Sequence, residues 1–198
     1  MKEEILIVIL NEFADWESAF IAASLNSEVT PNSQGRFTVK TISINKSPVS
    51  SIGGFTVLPD YDLTSVPEKF AALILIGGTQ WFQPEAEQIK ELLIKATQIG
   101  AVIGGICNAS VFLGMHGYLN HVKHTSNTLS YLQQFAKEMY TGQELYIDQQ
   151  AVRDGKIVTA NGSAYLEFNR ELLFALNADS DENINANYQF MKKGLCPL

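Results

Sequence analysis

Cysteine is scarce in this chain of 198 residues, which has only two, Cys107 and Cys196. They lie far apart with no Cys-x-x-Cys or Cys/His spacing around them, which argues against a disulfide framework or a zinc site and fits a reducing cytoplasm. Histidine is almost as rare, at three residues, His116, His121 and His124. Positive charge is thin as well: 14 Lys and Arg against 21 Asp and Glu give a net charge of -7 with no basic cluster. That balance speaks against nucleic acid or an anionic membrane as the main partner. No apolar run approaches the ~18 residues a membrane span needs. The acidic start Met1-Lys-Glu-Glu runs directly into a six-residue apolar segment at 5–10, too short and too acid-flanked for a signal peptide. A small-molecule substrate or another protein is the expected partner.

What the chain does have is a hydrophobic fraction of 46% with 18% charged residues, enough for the core of one globular domain spanning residues 1–198. Three unalternating apolar runs, at 5–10, 71–76 and 101–106, read as strands buried on both faces of a parallel sheet. Helical patterns at 16–25 and 84–99 separate them, the second opened by Pro84 and acidic residues and closed by Gly100. This alternation predicts an α/β doubly wound, mostly parallel sheet with helices on both faces. A further strand is expected at 37–44, after a polar loop at 31–35, and a short hairpin or edge segment at 53–58. Asp154-Gly155 between apolar stretches at 146–152 and 156–159 predicts a late antiparallel hairpin, and helices at about 164–176 and 182–193 close the chain.

The segment most informative about chemistry is 99–114, where an apolar strand reaches Cys107 and turns at once into a helix. Such an elbow forces a tight backbone turn and tolerates only small residues two positions away, here Gly105 and Ala109. The helix start aims its free N–H groups at the sulfur, favouring a thiolate. A buried cysteine acting as a small hydrophobe is the plainer alternative. In open parallel sheets chemistry sits beyond the carboxyl ends of the strands. The loop leaving the first strand carries Asp15, Trp16 and Glu17. Glu17 can share a proton with the sulfur if the strands are neighbours, or it simply complements the helix dipole. Asp15 and Trp16 either line the pocket or serve as an N-cap and a core aromatic. Gly77 and Gly78 end a strand, and their N–H groups can join that of Asn108 in an oxyanion hole.

Glu17 in its acidic loop, Leu75-Ile-Gly-Gly78 and Gly105-Ile-Cys-Asn-Ala109, in that order, resemble the ThiJ/PfpI family of the class I glutamine amidotransferase-like superfamily. The resemblance extends to residues 154–163 and Glu167. It implies a flavodoxin-like fold and a homodimer. It also implies Cys107 as elbow nucleophile, Glu17 as its protonated hydrogen-bond partner, and the Gly78 and Asn108 amides as oxyanion donors. Two departures stand out. Protease-type members have histidine directly after the cysteine, where this chain has Asn108, and the late His-x-Glu pair of glutaminases is absent. Other members carry a histidine where Asn127 stands here, with His124 three residues earlier as the alternative third member of the site.

The residues therefore point to a cysteine-dependent enzyme acting on a small carbonyl or amide compound, in the range of hydrolase, glyoxalase or amidotransferase-like chemistry. Cys107 is the nucleophile, Glu17 the proton donor and acceptor, and no cofactor or metal is implied. The rival reading is an oxidative-stress sensor or chaperone-like protein that oxidises Cys107 without turnover. Cys196, near the chain end, is read as an unremarkable thiol.

Overall fold

The computed structural model describes residues 2–26 and 35–194. The loop at 31–34 and Cys196 lie outside the described residues. Strand β1 (Glu3–Val8) leads into helix α1 (Asp15–Asn26) and strand β2 (Phe37–Ile42). A small hairpin of β3 (Val49–Ser50) and β4 (Thr56–Val57) follows, then β5 (Ala72–Leu75), α2 (Lys90–Gln98) and β6 (Val102–Ile106). The second half contains α3 (Asn108–Met115), α4 (Leu129–Ala136), β7 (Ala151–Asp154), β8 (Ile157–Ala160), α5 (Tyr165–Ala175) and α6 (Asp181–Lys193).

One six-stranded sheet runs in the order β2-β1-β5-β6-β8-β7, and every pairing is parallel except the β7–β8 hairpin at its edge. This is the expected doubly wound, flavodoxin-like arrangement with a late antiparallel hairpin. Period-two alternation along buried strands splits the core in two. Leu6, Val8 and Leu10 pack with α2, α3 and α4 residues such as Leu93, Phe112 and Leu132, while Ile5, Ile7 and Ile9 pack with Ile21, Phe168 and Ile184 on the other face. The chain leaves β1 toward β2 on one side and later toward β5 on the other, so a crevice opens at the carboxyl ends of β1 and β5.

Several element boundaries differ from the sequence reading for identifiable reasons. The 84–99 helix starts as a 3-10 segment, Pro84–Ile89, in which the Ala86 N–H bonds the Gln83 carbonyl; α2 proper begins only at Lys90. The strand expected from residue 146 begins at Ala151, because Tyr146 makes only an isolated bridge to His124 and packs its ring on that imidazole. The 53–58 segment forms the β3–β4 pair across a turn at 51–54. Helix α4 has little apolar run to announce it and is nucleated by a cap, the Thr128 hydroxyl accepting the Tyr131 N–H at 3.1 Å.

Candidate active site

Cys107 occupies the turn between β6 and α3 with φ 56° and ψ -130°, a conformation L-residues avoid. Strain of this kind costs on the order of 1–3 kcal/mol and persists only where its surroundings enforce it. The Cys107 N–H is tied to the Ala160 carbonyl of β8 at 3.0 Å, and its carbonyl accepts the Ser110 N–H and hydroxyl at 3.1 and 2.6 Å. A Cβ at Gly105 would lie 2.7 Å from Leu113, which explains the small residue two positions before the sulfur.

Glu17 reaches the same place from α1. It shares the buried face of that helix with Ile21 and Leu25, at helical spacing, so its carboxyl group enters the core. The Gly77 N–H, just past β5, donates to Glu17 Oε2 at 2.7 Å. Oε1 is buried without a hydrogen-bond partner. Burial raises the Glu17 pKa to about 8 against the opposing pull of the Gly77 N–H, so at neutral pH the carboxyl group carries its proton. Sulfur and carboxyl meet across glycines: a Cβ at Gly77 would fall 2.5 Å from Cys107 Cβ and 2.6 Å from Glu17 Oε2. One at Gly162, in the loop after β8, would fall 2.9 Å from Sγ and 3.4 Å from Glu17 Oε1.

Asn127 closes the remaining side. Its amide Nδ2 donates to Sγ at 3.5 Å, while its Oδ1 accepts the Gly162 N–H at 2.9 Å. The Asn108 side chain donates to the Gly78 carbonyl at 2.8 Å, tying the elbow to the loop after β5. The Gly78 N–H has no hydrogen-bond partner among the described residues. Burial pushes the Cys107 thiol up and a charge on Glu17 would push it further, opposed by the Asn127 amide and the Asn108 N–H. The thiolate favoured by the helix start in the sequence reading therefore competes with desolvation, and desolvation prevails.

His124 is not part of this arrangement. It is fully buried between Val122 O and the Tyr140 hydroxyl, both at 2.7 Å from its ring nitrogens, with Tyr140 and Tyr146 packed edge-on. Burial lowers its pKa, with the Val122 carbonyl opposing. An imidazole satisfied on both nitrogens inside an aromatic cage has no reason to swing out, which corrects its place as an alternative third member. His116 lies near Glu87 at 3.5 Å, and His121 is exposed. Asp15 opens α1 rather than capping it, and its carboxylate takes the Gly53 N–H at 2.7 Å, anchoring the β3–β4 hairpin. Trp16 is no core aromatic: its indole N–H donates to the Gly162 carbonyl at 3.1 Å and its ring is half exposed beside the pocket. Gly77 spends its N–H on Glu17, leaving Gly78 and Asn108 as candidate oxyanion donors.

Sequence reasoning missed Gly162 and Glu12. Gly162 lies in an ordinary Asn-Gly-Ser turn, and only the fold places it over the sulfur. Glu12 takes a left-handed φ of 58°, where sequence alone would favour glycine or asparagine. Among the described residues no group of three or more His, Cys, Asp or Glu side chains is placed to hold a metal ion. No helix there is long and apolar enough to cross a membrane.

Residues 3–175 match the model of the DJ-1/PfpI family. The uncharacterized protease YdeA of Bacillus subtilis is 36% identical over 179 residues, covering 90% of this chain and 86% of that one. Among solved structures, a thiJ/pfpI family protein of Bacillus anthracis superposes with a TM-score of 0.89 at 30% identity, over 98% of this chain and 92% of that one. A DJ-1 superfamily protein of Agrobacterium tumefaciens gives 0.86 at 32% identity, over 97% and 98%.

Proposed function

Because this chain belongs to the DJ-1/PfpI family, we propose that it is an enzyme that uses Cys107 to attack a small carbonyl or amide compound in the cytoplasm. The observation that carries the reading is the meeting of a strained cysteine with a buried, protonated carboxyl group that keeps one oxygen unpartnered. In the first step the Cys107 thiolate forms a carbon–sulfur bond and the carbonyl π pair moves to oxygen. The Gly78 and Asn108 N–H groups receive that oxygen, and Glu17 delivers its proton to it or to the departing amine. Glu17 then recovers a proton when the adduct is released to water or collapses to product. Asn127 orients the sulfur but does not titrate, so the thiol proton leaves to the ionised fraction of Glu17 or to solvent, and the rate depends on how much thiolate the pair supplies.

The test compares turnover of glyoxals, small amides and esters by the wild type and Cys107→Ser. Loss of turnover in the variant supports the reading, and equal rates remove Cys107 from any catalytic role. The sensor reading draws on the unpartnered Glu17 Oε1, which can donate to a sulfinate oxygen. It ranks second because it leaves the Gly78 N–H without a role. Stoichiometric oxidation of Cys107 in a protein with no turnover reverses that order. The working assembly in this proposal is a homodimer paired through Ile52, Phe55 and Leu58, which stand exposed on and beside the β3–β4 hairpin.

A further inference from the structure

The loop that carries Glu17 holds another carboxylate at the rim of the pocket. Glu12 sits in the left-handed region, an unfavourable place for a residue with a long side chain. Its Oε2 accepts hydrogen bonds from the Thr79 hydroxyl and from Gln80 Nε2, the latter at 3.3 Å. Those two bonds, Thr79 first, hold the carboxyl group below the usual range, so it stays ionised. Oε1 has no hydrogen-bond partner among the described residues and is open to solvent.

Glu12 and Cys107 flank the same pair of glycines. A Cβ at Gly78 would meet the Glu12 carbonyl oxygen at 2.6 Å, and one at Gly77 would meet Cys107 Cβ at 2.5 Å. The Glu12 backbone thus lies against Gly78, and its carboxylate is held on Thr79, the residue after that candidate oxyanion donor. Among the described residues no lysine or arginine acts on Glu12, Glu17 or Cys107. Independently, Glu17 Oε1 is fully buried and unpartnered within the same pocket. An anionic substrate would enter such a site with no counter-charge to receive it. A neutral one gains nothing from the ionised Glu12, whereas an ammonium group is drawn to it by charge.

Building on the reading of Cys107 as the reacting atom, we infer that the pocket selects electrophiles bearing an ammonium group, and that Glu12 is the specificity-determining contact for that cation. The fixed orientation of the Glu12 carboxylate on Thr79 and Gln80 makes this a local contact rather than a diffuse effect of the acidic surface.

Three thiol reagents of different charge test it without requiring turnover: iodoacetate, iodoacetamide and 2-bromoethylammonium. Labelling rates at Cys107 are read by peptide mass mapping and referred to the same reagents acting on free 2-mercaptoethanol. The cation-to-anion rate ratio at Cys107 is expected to exceed the free-thiol ratio by about tenfold at low ionic strength and to shrink as salt screens it. Glu12→Gln should abolish most of that excess. Glu12→Asn serves as a second neutral variant that tolerates the left-handed backbone. Glu182→Gln on the remote α6 removes the same formal charge and should leave the ratio at its wild-type value.

A wild-type ratio equal to that of the free thiol overturns the inference. So does an equal fall in Glu182→Gln and Glu12→Gln, which would assign the effect to net charge. Both results leave the reactive-cysteine reading standing. If none of the reagents labels Cys107 in the folded protein, that reading fails and takes the inference with it.

Discussion

Glu17 lies in line with Ile21 and Leu25 on the buried face of α1, and this placement gives its carboxyl group a pKa of about 8. The unfolded chain would release that proton near 4.5, the ordinary value for a glutamate. Between those two values the folded state binds more protons than the unfolded state, so stability is greatest at the acid end and falls as pH rises toward 8, on the order of 1 kcal/mol per unit. Glu17→Gln keeps the shape and cannot ionise. Its urea midpoint should lack the decline toward pH 8 that Glu17 imposes on the wild type; parallel curves would mean that Glu17 is already charged in the folded protein. Cys107 and Glu17 were legible in the sequence because each stands where local rules are strict, one on an elbow with small neighbours and the other on a short acidic loop. Glu12 and Gly162 were not. Their positions depend on which strands become neighbours, and no local pattern encodes that.

The segment from α3 to α4 decides whether the site contains an imidazole beside Glu17 and the thiol. Asn127 reaches Sγ with Nδ2 and the Gly162 N–H with Oδ1, so a histidine there can keep an acceptor toward Gly162 and turn its other nitrogen to the sulfur. Asn127→His is expected to raise carbonyl or amide turnover and to add an ionisation near ~6.5 to the rate profile. A profile unchanged in shape would argue against a shared position. His124→Ala strands the Tyr140 hydroxyl and the Val122 carbonyl and should cost about 1–3 kcal/mol of stability, with turnover per folded molecule unaltered. A hundredfold loss of kcat in that variant would return His124 to the chemistry. The sequence announced β1, β5 and β6 through continuous apolar runs because strands covered on both faces need no polar alternation. It was silent on α4, which depends on the Thr128 cap and on packing supplied by residues far away.

At the scale of the whole molecule, three of the nine large apolar residues exposed among the described residues stand together on and beside the β3–β4 hairpin: Ile52 is 52% exposed, Phe55 69% and Leu58 68%. A groove of about 300 Å³ lies beneath, lined by Ile9, Phe13, Ala22, Phe55 and Val57 among others. Sedimentation of the wild type is expected to give a dimer, and Phe55→Glu a monomer that remains folded by circular dichroism. A wild-type monomer at micromolar concentration would leave this face without its assigned partner. The fold class was readable from the order of strands and helices, as was a short hairpin or edge segment at 53–58, but its exposure was not, since a short apolar segment looks the same covered or bare. Besides the segment that carries Asn127, four that meet at the sulfur follow β1, β5, β6 and β8, which stand side by side in one sheet. No hinge or subdomain boundary runs between them. Cys107 is itself part-exposed, so a reagent reaches it without parting those strands, and amide exchange along β5 and β6 should stay slow while the thiol is being labelled.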